Sequence, residues 1–500
     1  MSSSYSIRQP AGVAPFAAST VRGLIYHPQF AIVAFLVLHP PLALLIYRSE
    51  LVAGLHAFAT LAAGLGWAMY GRRHLHRVAY VGAYIAGAEV LWRMKGAVFY
   101  EFGKYATAAI FITAMLRSRR FKGPGLATLY LLLLLPSVML VNFDDLTVAR
   151  KDISFHMSGH LALIASAWFF SQLKLTPEHT YRMFLAVIGP TVGLAAVTLF
   201  STVTNPNIVF TGESNLETSG GFGPNQVSGA LGFGVLMAFL YIMSGRESLK
   251  IRALMFGAMV LMAVQSALTF SRGGLYNAAG GIALASFCLV KDPRSRIKVV
   301  VFAALFLLTA NYIIWPRLDA FTGGALSARF QNTDTTGRGD IVALDLRSWA
   351  ENPILGVGPG QREGTMAHTE FTRLVAEHGT LGAAAILLLL MMMVQNFRRA
   401  RTIRSKAIVA SITGWSVLFM LDKAMRLVAP AFALGLTFAT FLPEKKVRRF
   451  RIRNFRNEGE DQAGEKDGPS SGQPSVGTIK RRLLLKPGQV LRRKYRAEER

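Results

Sequence analysis

QVSGALGFGVLMAFLYIM, residues 226–243, is the stretch that decides the fold of this chain. It contains no charged side chain, and about 20 predominantly apolar residues are what a helix needs to cross a bilayer. Similar runs lie on both sides of it, and 52% of the 500 residues are hydrophobic. The sequence therefore predicts an all-α polytopic membrane protein rather than a domain that folds in water.

The apolar runs predict about fourteen transmembrane helices, within a range of 12–14. Each prediction is placed by the residue near which the run begins: Ala31, Leu51, Val78, Phe99, Leu126, Phe155, Tyr181, Gln226, Ile251, Gly273, Ile297, Gly379, Ala407 and Met425. No signal-peptide pattern precedes the first run, which we therefore expect to remain in the protein.

The basic residues indicate an orientation for these helices. The net charge is +27, and Lys and Arg concentrate in short loops such as RSRRFKG (117–123) and FRRARTIRSK (397–406) rather than on one face. A cytoplasmic N-terminus places nearly all of these loops inside, as the positive-inside rule requires. This distribution favours a topology signal over nucleic-acid binding.

The orientation divides the chain into five segments. They are a cytoplasmic segment (1–30), helices one to eleven (31–315), an external catalytic loop with short amphipathic helices (316–378), helices twelve to fourteen (379–442) and a basic, largely disordered cytoplasmic tail (443–500). The clusters of Lys and Arg in the tail favour contact with solvent, or with anionic lipid head groups.

The external loop carries two helical patterns. TTGRGDIVALDLRSWAENP (335–353) predicts a helix with Thr335 or Thr336 as its cap and Asp340 in its first turn, ending at Asn352. The glycines of GVGPG (356–360) predict a tight turn. A second helix is predicted from Met366 into the next span.

His368, near the start of that second helix, is a candidate general base because an ordinary imidazole accepts a proton near neutral pH. The alternative is a capping or packing role. The loop also contains six arginines and no lysine, and a guanidinium matches phosphate oxygens. Most of these arginines are expected to form surface pairs, and one or two to bind substrate.

Two helix starts are predicted on the same outer face. FGPNQ (222–226) contains Asn225, and SRGG (271–274) contains Arg272. Unpaired amides at a helix N-terminus attract anions. The alternatives are ordinary helix punctuation for the first and an interfacial arginine for the second.

Further charged residues lie within or beside apolar runs. Glu89 and Arg93 are one helical turn apart and precede Lys95, Glu101 and Lys104, whereas Asp422, Lys423 and Arg426 separate the last two spans. Charges at membrane depth mark functional sites or structural ion pairs, and both interpretations stay open here. His156 and His160 have the spacing of a metal pair but no companion ligand, so we expect no metal site. No P-loop is present for ATP hydrolysis, and Cys288 has no partner for a disulfide.

The order of GFGPNQ, SRGG, GRGD with Trp349, ENPILGVGPG and AHTEFTRLVAEHGTLG resembles the O-antigen ligase and Wzy-type polymerase superfamily over roughly residues 205–390. The resemblance implies a GT-C-like fold in the bacterial inner membrane, with an active site on the periplasmic face. It implies a metal-independent, inverting glycosyltransferase without a cofactor. Thr369 stands where many relatives have Asn.

The resemblance also implies the partners: an undecaprenyl-pyrophosphate-linked glycan, an acceptor glycan or lipid, membrane lipids, and polysaccharide-export proteins. It assigns catalysis to His368 and pyrophosphate binding to Arg272 and Arg338. Further candidate substrate-binding residues are Asn225, Arg329, Arg373, Glu377, Glu89 and Arg93. A ligase, a repeat-unit polymerase, a solute transporter and a noncatalytic assembly subunit remain alternatives.

Overall fold

A computed structural model describes residues 28–71, 74–118, 123–244, 247–332, 337–362 and 368–443. The regular secondary structure of the described chain is helical apart from one parallel pairing of two short strands. The predicted N-terminal segment, except for its last three residues, and all of the tail after Pro443 lie outside the described residues.

The first half contains seven helices and one strand. Their bounds are α1 Pro28–Arg48, α2 Glu50–Met69, α3 Leu75–Arg93, α4 Phe102–Ser118, α5 Gly125–Leu134, α6 Leu146–Ser171, β1 Lys174–Leu175 and α7 Pro177–Thr204. Start signals act as expected: the Thr176 hydroxyl caps α7 and Pro177 occupies its first turn, where its missing N–H costs no hydrogen bond.

The second half contains ten helices and the second strand. Their bounds are α8 Pro224–Met243, α9 Leu249–Leu268, α10 Gly273–Leu289, α11 Pro293–Leu308, α12 Trp315–Phe321, α13 Ala325–Gln331, α14 Arg338–Glu351, α15 Glu370–Arg399, α16 Ile403–Lys423, α17 Ala429–Leu436 and β2 Thr440–Phe441. Helix α10 packs along α16, α3 along α7, and α8 against both α9 and α10.

Eight helices in the described ranges are long and apolar enough to cross a membrane. They are Gln29–Arg48, Glu50–Met69, Leu146–Ser171, Pro177–Thr204, Pro224–Met243, Leu249–Leu268, Pro293–Phe321 and Glu370–Arg399. The all-α membrane architecture is thus confirmed. The count of about fourteen spans, and the GT-C-like arrangement, stay predictions.

Helix α11 continues into α12 through a π-helical segment, Thr309–Ile314. Trp315 N donates to the carbonyl of Ala310, five residues back, immediately before Pro316. A proline ring clashes with the carbonyl four residues earlier, and a widened turn makes room for it. The helix therefore ends at Phe321, inside the segment predicted as loop.

The predicted amphipathic helix of the loop is α14. Asp340 lies in its first turn and Asn352 follows its last residue. The N-cap position is held by Gly337, whose φ is 72°, so a threonine cap is not used at this position. Thr335 and Thr336 lie outside the described residues.

Helix α15 begins at Glu370 rather than near Met366, which itself lies outside the described residues. Thr369 Oγ1 accepts a hydrogen bond from Phe371 N and so caps the helix there. His368, predicted near the start of this helix, consequently precedes it.

Gly379, with φ 61° and ψ −144°, interrupts α15. The glycine-rich loop packs against this break: Val357 N donates to Ala376 O over 3.0 Å, and Gly358 N donates to Glu377 O over 3.0 Å. A Cβ at Gly379 would contact the backbone of Ile354. Glycine is therefore required both by the backbone angle and by the close approach.

Helices α8 and α10 approach closely where α10 begins. A Cβ at Gly274 would contact the Ser228 carbonyl, and one at Gly232 would contact the Gly274 carbonyl. Ser228 Oγ donates to Ser271 O over 2.7 Å. Small residues allow this backbone contact, which fixes the N-terminus of α10 beside α8.

Candidate functional site

The loop between α16 and α17 is held by two buried carboxylates from distant parts of the chain. Glu370 Oε2 accepts a hydrogen bond from Met425 N over 2.8 Å, and Glu89 Oε2 accepts one from Val428 N over 2.7 Å. Arg93 also donates to the Arg426 carbonyl over 2.9 Å. We call these three contacts the carboxylate clamp.

The clamp holds a strained backbone. Ala424 has a φ of 53°, in the left-handed region that residues with a Cβ rarely adopt, and its side chain is buried. Such conformations persist only where surrounding contacts fix them. The charged hydrogen bonds at Met425 and Val428 provide that fixation.

Three cationic residues lie at or beside the clamped loop: Arg338 begins α14, Lys423 ends α16 and Arg426 is in the loop itself. Arg338 Nη1 lies 2.5 Å from Asp422 Oδ1, which joins the start of α14 to the end of α16. Lys423, whose side chain is almost fully buried, pairs with the other oxygen of Asp422. We call Arg338, Lys423 and Arg426 the cation cluster.

Asp422 is the carboxylate that pairs with both Arg338 and Lys423. Burial lowers the pKa of Arg338, and burial together with neighbouring charges, including those of Arg373 and Arg338, lowers that of Arg426. Crowding of like charges in a partly buried site favours binding of an anion.

His368 lies next to the cation cluster. Its pKa is lowered to about 4, first by burial and then by the guanidinium groups of Arg426 and Arg338. Its Nδ1 is buried and has no hydrogen-bond partner among the described residues. The imidazole is therefore neutral at pH 7, and one ring nitrogen is left for a further contact.

The N-terminus of α10 reaches the same place. A Cβ at Gly273 would contact both Asp422 and Lys423. The guanidinium of the preceding Arg272 points elsewhere and donates to the backbone carbonyls of Asn332 and Arg329. The SRGG segment therefore lies at the cation cluster, whereas the guanidinium of Arg272 is bound to the backbone of residues 329–332.

Two other predicted residues have local partners beside SRGG. Arg329 Nε donates to Phe270 O over 3.1 Å, and Phe270 has a positive φ of 57°. Asn225 Oδ1 accepts from Ser271 Oγ over 2.7 Å. These contacts hold the turn that precedes α10 in place.

Arg373 is the centre of a second, buried network. It pairs with Glu370, and its Nη1 lies 3.9 Å from Glu377 Oε2. His160 Nε2 is 3.1 Å from Glu370 Oε1, and His156 Nδ1 is 2.7 Å from Glu377 Oε1. Both histidines therefore lie against this network, and His156 Nδ1 is also 2.9 Å from Arg373 Nη1. In the described ranges no group of three or more His, Cys, Asp or Glu side chains could hold a metal ion.

Glu89 and Arg93 form a buried ion pair of 2.5 Å. Arg93 donates to Gln226 Oε1 over 3.0 Å and lies over the ring of Tyr100, 4.0 Å from its centroid. Lys104, fully buried close by, donates to Ser158 Oγ over 3.3 Å. The charges in the first half of the chain thus connect to FGPNQ and to the clamp.

The structure places the predicted residues in three groups, of which Asn225, Arg272 and Arg329 form the one at the turn before α10. His368 and Arg338 meet at the cation cluster, whereas Glu89, Arg93, Arg373 and Glu377 belong to the buried networks behind it. Sequence reasoning left Lys423 and Arg426 ambiguous. It missed the connection of His156 and His160 to α15, although their four-residue spacing put both on one helical face opposite the equally regular charges of α15.

Comparison with protein-family models and with curated proteins finds no match to this chain.

Proposed function

We propose that this protein is a membrane glycosyltransferase that moves a glycan from undecaprenyl-pyrophosphate to an acceptor hydroxyl in surface polysaccharide biosynthesis. We favour a ligase that joins polymer to a lipid or other acceptor over a Wzy-type polymerase of repeat units. The observation that carries the proposal is the meeting of Arg338, Lys423 and Arg426 beside neutral His368. The motif resemblance agrees with it.

The proposed reaction needs two kinds of group. The acceptor oxygen bonds to the anomeric carbon as the bond from that carbon to the pyrophosphate oxygen breaks, and the pyrophosphate leaves with the electron pair. Cations stabilise the charge that develops on the leaving group. The diphosphate already activates the donor, so no nucleotide or cofactor enters the scheme.

In this scheme His368 takes the proton from the acceptor hydroxyl. An imidazole that is neutral at pH 7 can accept a proton, and its unpartnered Nδ1 is within a half-buried side chain beside the cations. A diphosphate bound at the cluster would raise the pKa of His368, because a nearby anion favours the imidazolium. Substrate binding would thereby strengthen the base.

Arg338 and Arg426 bind the diphosphate in the proposal, and buried Lys423 holds the Asp422 carboxylate beside them. Arg272 is next to Gly273, which lies at the same site. To contact the substrate, its guanidinium would have to leave the Asn332 carbonyl and bind a phosphate oxygen instead. Glu89, Arg93, Arg373 and Glu377 support the clamp rather than contact the glycan. The proposed location is the bacterial inner membrane, with this site on the outer face and polysaccharide-export proteins as partners.

Purified protein tests the proposal when it is given a lipid-diphosphate-linked glycan, an acceptor and a metal chelator. We expect turnover by the wild type and a loss of at least about 100-fold for His368→Ala or Arg338→Ala. Arg347→Ala is the matched control, because Arg347 is on the same helix as Arg338 but pairs with Glu351 in solvent. Wild-type rates in both test variants would reject the assignment.

Cells that lack the protein separate ligase from polymerase. Loss of a ligase leaves long polymer on the carrier lipid, whereas loss of a polymerase leaves single repeat units. Accumulation of neither species would contradict glycan transfer altogether.

A further inference from the structure

A cavity of about 870 Å³ lies at the other end of α15. Beyond its break at Gly379 that helix continues to Arg399 at this cavity, over about 20 residues and thus roughly 30 Å at 1.5 Å per residue. The cavity is therefore separate from the cation cluster, and its interpretation does not depend on the proposed function.

The walls come from chain segments that are far apart in sequence. The end of α15 and the start of α16 form one side, and the end of α6 with β1 and β2 forms the other. Backbone pairing fixes the second side, because Thr440 N donates to Leu173 O over 2.9 Å and Leu442 N donates to Leu175 O over 2.8 Å. The cavity is thus part of the folded structure.

The described part of its lining carries a net positive charge. Four cationic side chains line it, and they are Lys174, Arg398, Arg399 and Arg401. No Asp or Glu side chain is among the described lining residues. All four are exposed. Their shared position at one cavity favours an anionic ligand, since the local field attracts and holds negative charge.

The other side chains that line the cavity are of two kinds, neutral polar and apolar. Neutral hydrogen-bonding groups lie in the cavity wall, where buried Asn396 donates to Thr437 Oγ1 over 3.0 Å. Apolar side chains, including Val409, Phe438 and Phe441, line the rest. A phospholipid has a phosphate, a polar head group and apolar tails. The cations, the neutral polar groups and the apolar side chains of this cavity match these three parts.

We propose that this cavity binds the phosphate of an anionic ligand, with the head group of an anionic phospholipid as the occupant that fits best. Lys174, Arg398, Arg399 and Arg401 would contact the phosphate oxygens. A free phosphorylated molecule shares this chemistry and is distinguished by experiment.

The test uses the full chain in detergent, with dioleoyl phosphatidylglycerol, dioleoyl phosphatidylcholine and inorganic pyrophosphate as separate probes. Native mass spectrometry and a fluorescent-lipid titration measure binding. The test variant is Lys174→Gln with Arg399→Gln. The control is Lys291→Gln with Arg294→Gln, which removes the same charge from exposed positions at the start of α11, outside the cavity.

We expect the wild type and the control to bind phosphatidylglycerol equally and more tightly than phosphatidylcholine. The test variant should bind it about tenfold more weakly, as loss of two charged contacts predicts. Competition by pyrophosphate would identify free phosphate as a second source of ligand.

Two results would overturn the proposal. One is equal affinity for the two lipids, and the other is equal weakening in test and control variants. Unchanged thermal unfolding of the test variant confirms that its fold is retained.

Discussion

The carboxylate of Glu370 accepts a hydrogen bond from the backbone amide of Met425 at 2.8 Å. The same carboxylate pairs with Arg373 and with His160. One buried side chain therefore joins α6, α15 and the loop that presents the cation cluster. Its charge stabilises both the packing of two helices and the position of that loop.

Glu370→Gln tests this joint role. The variant leaves buried Arg373 with weaker compensation, and an uncompensated buried charge costs about 3–5 kcal/mol. We expect a clearly lower unfolding temperature in detergent. Glu351→Gln breaks an exposed pair with Arg347, which contributes about 0–1 kcal/mol, and should change little. Equal unfolding temperatures for the two variants would show that the Glu370 network adds no stability.

Ala424→Gly tests the strain in the clamped loop. Removing the Cβ relieves a left-handed conformation that costs roughly 1–2 kcal/mol, against about 0.8 kcal/mol for the lost methyl burial. The unfolding temperature should therefore stay constant or rise. Ala343→Gly, in the exposed middle of α14, should lower it by an amount equivalent to about 1 kcal/mol. The reverse order would argue against strain at Ala424.

Gly379→Ala tests the break in α15. The new methyl would strain the positive φ and contact the Ile354 backbone, so the hydrogen bonds to Ala376 and Glu377 would be disturbed. We expect destabilisation by about 2 kcal/mol or more and faster proteolysis near Val357. Gly257 lies inside α9 with open space at its Cβ position, so Gly257→Ala should stabilise by up to about 1 kcal/mol. Similar effects of both changes would contradict a required break.

The lowered pKa of His368 makes a prediction about pH. Because the folded-state pKa, about 4, is below the ordinary value of about 6.5, the unfolded state binds the proton first. Stability from neutral His368 is complete above pH 6.5 and decreases as the pH falls toward 4. Relative to His368→Gln, the wild type should therefore lose unfolding temperature over this range.

Added diphosphate should change this pH dependence. An anion at the cation cluster raises the pKa of His368, so the wild type should become less sensitive to acid when the ligand is present. Arg338→Ala is the control, because it weakens the site for the ligand. A wild-type pH response that diphosphate leaves unchanged would separate His368 from the anion site.

Local patterns in the sequence were sufficient for much of the architecture. The charge-free run 226–243 lies within α8, the periodicity of 338–351 forms α14, and the start predicted near Gly379 coincides with the break in α15. Each of these features depends on neighbours within one or two helical turns, which sequence periodicity records.

The candidate site could be predicted only in part, because its contacts join distant segments. His368 and Arg338 were recognisable from their residue types and motifs. Nothing local to Glu89 indicates that it accepts a hydrogen bond from Val428, 339 residues later. Likewise, the guanidinium of Arg272 was predicted to face an anion, but the carbonyl of Asn332 binds it. Tertiary packing decides such partners, and a single sequence contains no record of it.

The carboxylate clamp also has a consequence for the order of synthesis. The acids of α3 and α15 are made before the amides of Met425 and Val428, and until then Glu89 and Glu370 can pair with Arg93 and Arg373 of their own helices. The loop that they hold is among the last described parts of the chain. The site therefore closes from the C-terminal side, and a chain that stops before Val428 would contain His368 and Arg338 but could not arrange the cations around them.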